Sequence, residues 1–173
     1  MTTSNMTVAA LLFYSLAGVA QQPAKPNDAQ IAGIEISANS EQIENAQIAK
    51  EKTTNTAIKR YALTLLNERG AANRTTGELA SSLQITPEEN ESTKAIKNLT
   101  KKNRAKLKRL KGVKFDKAYV NSEIELQQMM VEMIKNSLIP AASDPNLVSL
   151  LKNELPLVEA HLKQARAIQS QLK

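Results

Sequence analysis

The chain has 173 residues, a net charge of +6, two Phe, three Tyr, and neither Trp nor Cys. That length makes one domain with a core of its own, and the absence of cysteine excludes disulfides, thiolate metal sites, a cysteine nucleophile and a lipid-bearing cysteine. Ala, Leu, Ile, Lys, Gln and Glu dominate, which is helix-forming material with few of the β-branched and aromatic runs of a sheet.

Residues 7–20 (TVAALLFYSLAGVA) are an apolar run ending in small side chains. A membrane-spanning helix needs about 20 apolar residues, so residues 1–20 read as a secretory signal peptide, cut after Ala20 with Gly18 two positions upstream. The leading segment MTTSNM carries no Lys or Arg, and the competing reading is a buried N-terminal helix. Residues 21–27 (QQPAKPN) are a Pro-punctuated linker, and residues 28–173 are the expected domain. No other segment is apolar enough to span a bilayer, so no transmembrane segment is expected in the mature chain.

Helix one is expected over about 28–52, opened by Asn27 or Asp28 and by a capping-box-like Asn27–Gln30 pair. Ile31, Ile34, Ala38, Ile43, Ala46 and Ile48 supply apolar surface, and Glu44 shares a narrower second face with Gly33, Ser37 and Ser40. A turn at 53–56, with Asn55 as cap, leads into helix two over 58–83. Alternating steps of four and three keep Ile58, Ala62, Leu65, Arg69, Ala72, Thr76, Leu79 and Leu83 on one face. Gly70 and Gly77 lie inside it, each costing about 1 kcal/mol against Ala, which suggests close helix approach there.

Pro87 breaks the pattern. Helix three runs over about 92–111 and ends at Gly112. Helix four starts near Phe115, carries Val120, Ile124, Gln127, Val131, Ile134 and Leu138 on one face, and is expected to stop at Pro140. Asp144-Pro145 is a start signal, a cap followed by proline at the first helical position. Helix five then reaches the C-terminus with a kink expected at Pro156. Short connections favour antiparallel neighbours, so the fold class is all-α, an antiparallel up-and-down bundle of four to five helices.

Four polar side chains lie on these inner faces: Arg69, Gln127, Glu154 and His161; Glu44 is a fifth candidate. Inward-pointing acids and histidines from different helices build carboxylate-bridged metal pairs in such bundles. Here one His is the whole inventory, no Glu-x-x-His motif is present, and a fixed guanidinium charge opposes a divalent cation. No metal and no cofactor is therefore expected. Two readings of Arg69 stand: it neutralises Glu44 or Glu154 inside a polar plug, or it snorkels outward along its alkyl stem.

With these residues laid out, the chain resembles a family of exported bacterial ferritin-like proteins, catalogued as a domain of unknown function and often given a provisional outer-membrane label. The resemblance rests on Asp28-Ala29-Gln30-Ile31-Ala32, Tyr61-Ala62, Asn73 and Ile85-Thr86-Pro87-Glu88-Glu89-Asn90. It continues through Phe115-Asp116-Lys117-Ala118-Tyr119-Val120, Leu138-Ile139-Pro140 and Leu155-Pro156-Leu157-Val158-Glu159-Ala160-His161-Leu162. It implies a ferritin-like bundle in the periplasm. The family typically has Asp-His where this chain has Glu68-Arg69, and a second His at the position of Gln127; many members have a His where Gly33 stands. Only His161 is kept, which implies a degenerate metal site made of Glu44, Arg69, Gln127, Glu154 and His161.

Ten basic residues and no acid lie between positions 94 and 114, while the rest of the chain has 13 basic against 17 acidic residues. Lys94, Lys97, Lys101, Lys108 and Lys111 are candidates for an exposed face that meets anionic lipid head groups or an acidic protein; the competing reading is a solvated face. No aromatic interleaves the charges and no nucleic-acid motif is present, so sequence-specific nucleic-acid binding is not expected. Catalytic motifs are missing too, with no G-x-S-x-G, phosphate-cradling glycine loop or H-E-x-x-H. The expected function is a non-catalytic, envelope-associated periplasmic protein. The alternative is residual metal binding or redox protection through His161, Glu44, Glu154 and Glu159.

Overall fold

The computed structural model describes residues 25–172; the signal-peptide reading and most of the linker lie outside them. Every regular element within them is helical: α1 (Asp28–Lys52), α2 (Thr56–Ser82), α3 (Glu91–Arg109), α4 (Gly112–Met133), a π-helical turn (Ile134–Leu138), a short α5 (Ile139–Ala141) and α6 (Pro145–Gln171). The protein is an all-α helical bundle.

Local chemistry sets the helix starts. Asn27 Oδ1 accepts from the Gln30 amide at 2.8 Å, and Gln30 Oε1 accepts in turn from the Asn27 amide. Asn55 caps α2, Asn90 forms a capping box with Thr93, and Asp144 caps α6 ahead of Pro145. These bonds satisfy amides that have no partner within the first turn.

α1, α2, α6 and α4 form a ring in which each packs on the next, and α3 lies outside against α1 and α4. α1 is thus covered by α2, α4 and α3 together, and its buried residues span more than half of its circumference rather than one narrow stripe. It is the central helix of the molecule. The apolar core falls into two clusters. One gathers Ile58, Tyr61, Leu65, Leu107, Phe115 and Tyr119; the other gathers Ile34, Ile96, Leu126, Met130, Leu138 and Leu151. Between them the ring helices contribute polar side chains.

Several local expectations need correction. Helix four does not stop at Pro140 but continues to Ala141. The preceding turn widens to π geometry, with the Ile139 amide bonded to the Ile134 carbonyl, which accommodates a ring that would otherwise press on the carbonyl four residues back. Gly112 does not end α3; with φ +55° it is the first residue of α4, after α3 has closed at Leu110. Gly70 and Gly77 do not mark close approach, since a Cβ at Gly77 would meet nothing within 4 Å. The crowded glycine is Gly33, where a Cβ would lie 1.9 Å from the Glu88 carbonyl oxygen. There the segment 84–90 crosses α1, held by a 2.9 Å bond from the Glu88 amide to the Ala29 carbonyl.

Candidate functional site

The polar layer centres on Arg69, in the middle of α2 and only 2% exposed. Its guanidinium donates to Glu154 of α6 and, at 3.3 Å, to Asn39 Oδ1 of α1. A buried carboxylate and a buried guanidinium each need such a partner, because solvent cannot screen them. Glu35 of α1, 2% exposed, stands beside this pair. Burial, reinforced by the Glu154 charge and opposed by Arg69, raises its carboxyl to about 8. Glu35 is therefore mostly neutral at pH 7, and its Oε1 has no hydrogen-bond partner.

About two turns further along α6, His161 is buried. Its Nε2 lies 2.8 Å from Glu68 Oε2, its ring meets Tyr61 edge-on at 6.1 Å, and its carbonyl accepts a 3.4 Å bond from the Tyr61 hydroxyl. Burial lowers the imidazole, and the Arg69 charge lowers it further against the opposing pull of Glu68. Gln127 of α4 is fully buried and donates to Gln42 of α1 at 3.4 Å. Glu123, also on α4 and fully buried, is raised to about 8 by burial; it in turn pushes the Tyr61 and Tyr119 phenols up, adding to the larger effect of their own burial.

Glu44 does not join this layer. It is exposed and pairs with Arg104 of α3 at 3.1 Å. The acids that α1 does bury are Glu35 and Glu41, the latter 2.7 Å from Arg104 and accepting from Thr100. Glu35, Asn39, Glu41, Gln42 and Asn45 were missed because α1 has no single apolar stripe against which a polar intrusion stands out. A signal existed nonetheless. Steps of four and three from Ile31 pass through Glu35, Ala38, Gln42, Asn45 and Ala49, all buried. Similar steps from Asp116 pass through Tyr119, Glu123, Leu126 and Met130, all buried.

The donor set does not fit a metal. Among the described residues no three His, Asp or Glu side chains converge as a coordination shell. Glu154 is engaged by Arg69, Glu68 is the one carboxylate at ion-pair distance from His161 among the described residues, and Glu159 is exposed.

Past Arg69 the inner face of α2 stays covered at Thr76 and Ala80 but is less closely covered on the side toward α6. Ala72 and Leu79, expected on a packed seam, are only partly buried because a groove of about 540 Å³ opens between α2 and α6. Arg69, Glu35 and Glu154 lie among its lining residues, with Leu79, Leu150 and Leu157 supplying apolar wall.

On the outer helix, Lys94 pairs with Glu91 at 2.8 Å, Lys97 with Glu89, and Arg104 with Glu41 and Glu44. Among the described residues Lys101, Lys106, Lys108, Arg109, Lys111 and Lys114 have no carboxylate at ion-pair distance, and all are exposed. Val113, 56% exposed, stands between Lys111 and Lys114 at the α3–α4 corner. Lys52 donates to the carbonyls of Leu107 and Lys108 at 2.8 and 2.7 Å, so the negative end of the α3 dipole is already neutralised from within.

No helix among the described residues is long and apolar enough to cross a membrane. No curated protein matches the chain. Solved structures that share its fold include two of note. "CopM in the Cu(II)-bound form" is 15% identical with a TM-score of 0.65, over 86% of this chain and 100% of that one. A crystal structure of DUF305 from Streptomyces coelicolor, provisionally described as a secreted protein, is 13% identical with a TM-score of 0.71, over 83% and 92%. At these identities the likeness concerns the helical architecture alone, and neither match carries the ferritin-like or outer-membrane description that the sequence resemblance implies. The description "Domain of unknown function (DUF4142)" matches residues 15–168, and the chain belongs to that family.

Proposed function

We propose that this chain is an exported, non-catalytic helical-bundle protein of the ferritin-like kind, associated with the bacterial envelope from the periplasmic side. Its working surface is the basic corner formed by the end of α3 and the start of α4, and its partner is an anionic lipid surface. The observation that carries the reading is the exposed set Lys101, Lys106, Lys108, Arg109, Lys111 and Lys114, with no carboxylate at ion-pair distance among the described residues and Val113 exposed in its midst. Where α3 faces α1 its charge is matched by carboxylates; at the far end it is not. Unpaired lysines near a negative membrane surface are worth about 1 kcal/mol each, and an apolar side chain among them adds burial at the head-group boundary. The apolar run at residues 7–20 and the secreted description of one structural neighbour support export.

Co-sedimentation with vesicles tests this reading. Phosphatidylglycerol vesicles should capture the mature chain and phosphatidylcholine vesicles should not, with binding falling steeply as salt rises. Lys108→Glu/Lys111→Glu/Lys114→Glu should abolish capture without changing the melting temperature. Binding that survives the triple reversal, or that is equal on neutral vesicles, refutes the proposal, as does salt-dependent capture of an acidic protein in the absence of any lipid binding.

A second reading, metal binding or redox protection, draws on the Cu(II)-bound state of the CopM structure. Against it stand the Arg69 charge and the dispersal of the donors: Glu44 and Glu159 are exposed on separate helices and Glu154 is engaged. Stoichiometric copper, iron, manganese or zinc in purified protein, lost on His161→Ala, would establish that reading.

A further inference from the structure

The groove between α2 and α6 has apolar walls and a buried acidic floor. Four ionisable side chains line it: Glu35, Glu68, Glu154 and Arg69. Three acids against one base leave the lining short of positive charge. Arg69 is already spent on Glu154, and Glu68 stands 2.8 Å from His161. Glu35 is left over. It is 2% exposed, it lines the groove, and its Oε1 has no hydrogen-bond partner among the described residues. A buried carboxyl oxygen without a partner is unfavourable, so a ligand that donates to it recovers a loss already built into the fold. The nearby Arg69 Nε is likewise unpaired.

We propose that this groove binds an organic amine with an apolar body, its ammonium donating to Glu35 and its hydrocarbon part lying against Leu79, Leu150 and Leu157. The volume, about 540 Å³, falls within the range of small-molecule sites. Leu157 is 49% exposed on the groove wall, and a hydrocarbon chain would cover it. A carboxylate ligand is disfavoured, because the only cation in the lining already has an anion beside it. This inference is independent of the lipid-binding surface, which lies on other helices.

Binding should also move a proton. Two charged groups face Glu35: Glu154 from α6, which holds its proton on, and Arg69 from α2, which opposes. Near pH 7 the carboxyl is mostly protonated. An arriving ammonium stabilises the carboxylate, so the Glu35 O–H bond breaks, its proton passes to the buffer, and an N–H of the ammonium donates to the carboxylate in its place. The Arg69–Glu154 pair is untouched.

Isothermal titration of the folded chain with n-octylamine, n-octanol and octanoate tests the proposal. Octylamine should bind saturably at one site, at least tenfold more tightly than either isostere. Repeating the titration at pH 7 in phosphate and in Tris should reveal release of between half a proton and one per amine bound. Glu35→Gln keeps the shape of the neutral carboxyl and should retain the circular dichroism spectrum while weakening octylamine at least tenfold and removing the proton release. Ala72→Trp, which fills the groove at a partly exposed position, should block binding without touching the carboxyl. Equal affinity for octanol or octanoate, unchanged binding in a folded Glu35→Gln protein, or no saturable binding of octylamine overturns it.

Discussion

Arg69 of α2 and Glu154 of α6 meet inside the bundle with side chains 3% and 11% exposed, and Asn39 of α1 completes the contact. This pair joins helices that otherwise diverge, since immediately beyond it the groove opens. The Arg69 and Glu154 charges compensate one another within the bundle.

The pair should behave as a buried ion pair does when it is dismantled in steps. Arg69→Met or Glu154→Leu alone strands an unpaired charge and should cost about 3–5 kcal/mol. The double variant, which removes both charges, should recover most of that loss or exceed the wild type. Urea unfolding of the four proteins gives the cycle, and additive single losses would show that the two groups do not interact.

Glycines in α1 and α2 should respond oppositely to the same substitution. Gly77→Ala adds a methyl group to open space on a helix and should stabilise by about 1 kcal/mol, raising the melting temperature by roughly 2–4 °C for a chain of this size. Gly33→Ala drives a Cβ into the Glu88 carbonyl, so the segment 84–90 must lift from α1. The melting temperature should fall, and the Glu88 amide should lose its protection from hydrogen exchange.

α2 ends in a Schellman motif: the Ile85 amide bonds to the Ala80 carbonyl at 3.0 Å and the Gln84 amide to the Ser81 carbonyl at 3.1 Å. The motif puts Gln84 at φ +56°, a left-handed conformation that costs a residue with a Cβ about 1–2 kcal/mol. Gln84→Gly relieves that strain and should stabilise the protein by about 1 kcal/mol, part of the gain being offset by the greater freedom of the unfolded chain. A lower melting temperature would count against the motif.

Glu123 should make stability fall as pH rises. Its folded carboxyl is raised to about 8, above its unfolded value, so the folded state holds a proton that the unfolded chain releases. Its contribution is complete below the unfolded value of about 4.3 and is lost as pH rises through 8. Between pH 5 and 8 the loss is on the order of 3 kcal/mol. Glu123→Gln should match the wild type near pH 5, exceed it at pH 8, and flatten that slope. His161 acts in the other direction: its folded value is lowered, so its contribution is present above the unfolded value of about 6.5 and is lost below it. His161→Gln should therefore blunt destabilisation on the acid side only.

The residues alone determined the helices and much of their framing. Asn27, Asn55 and Asp144 act as caps through bonds a few residues long, and the four–three spacing of Ile58, Ala62, Leu65 and Arg69 marks a face from local geometry. Those features are legible because both partners lie within one or two helical turns. Only the tertiary structure decided which acid answers Arg69: Glu154 is 85 positions away and Glu44 is 25, yet the nearer one turns outward to Arg104. It also made α1 the central helix, burying Glu35 where no apolar stripe announced an interior, and left the α2 face beyond Arg69 only half covered at Ala72 and Leu79. Burial of a helix face depends on which neighbours cover it and how far they diverge, and that is a property of the assembled bundle rather than of any one stretch of chain.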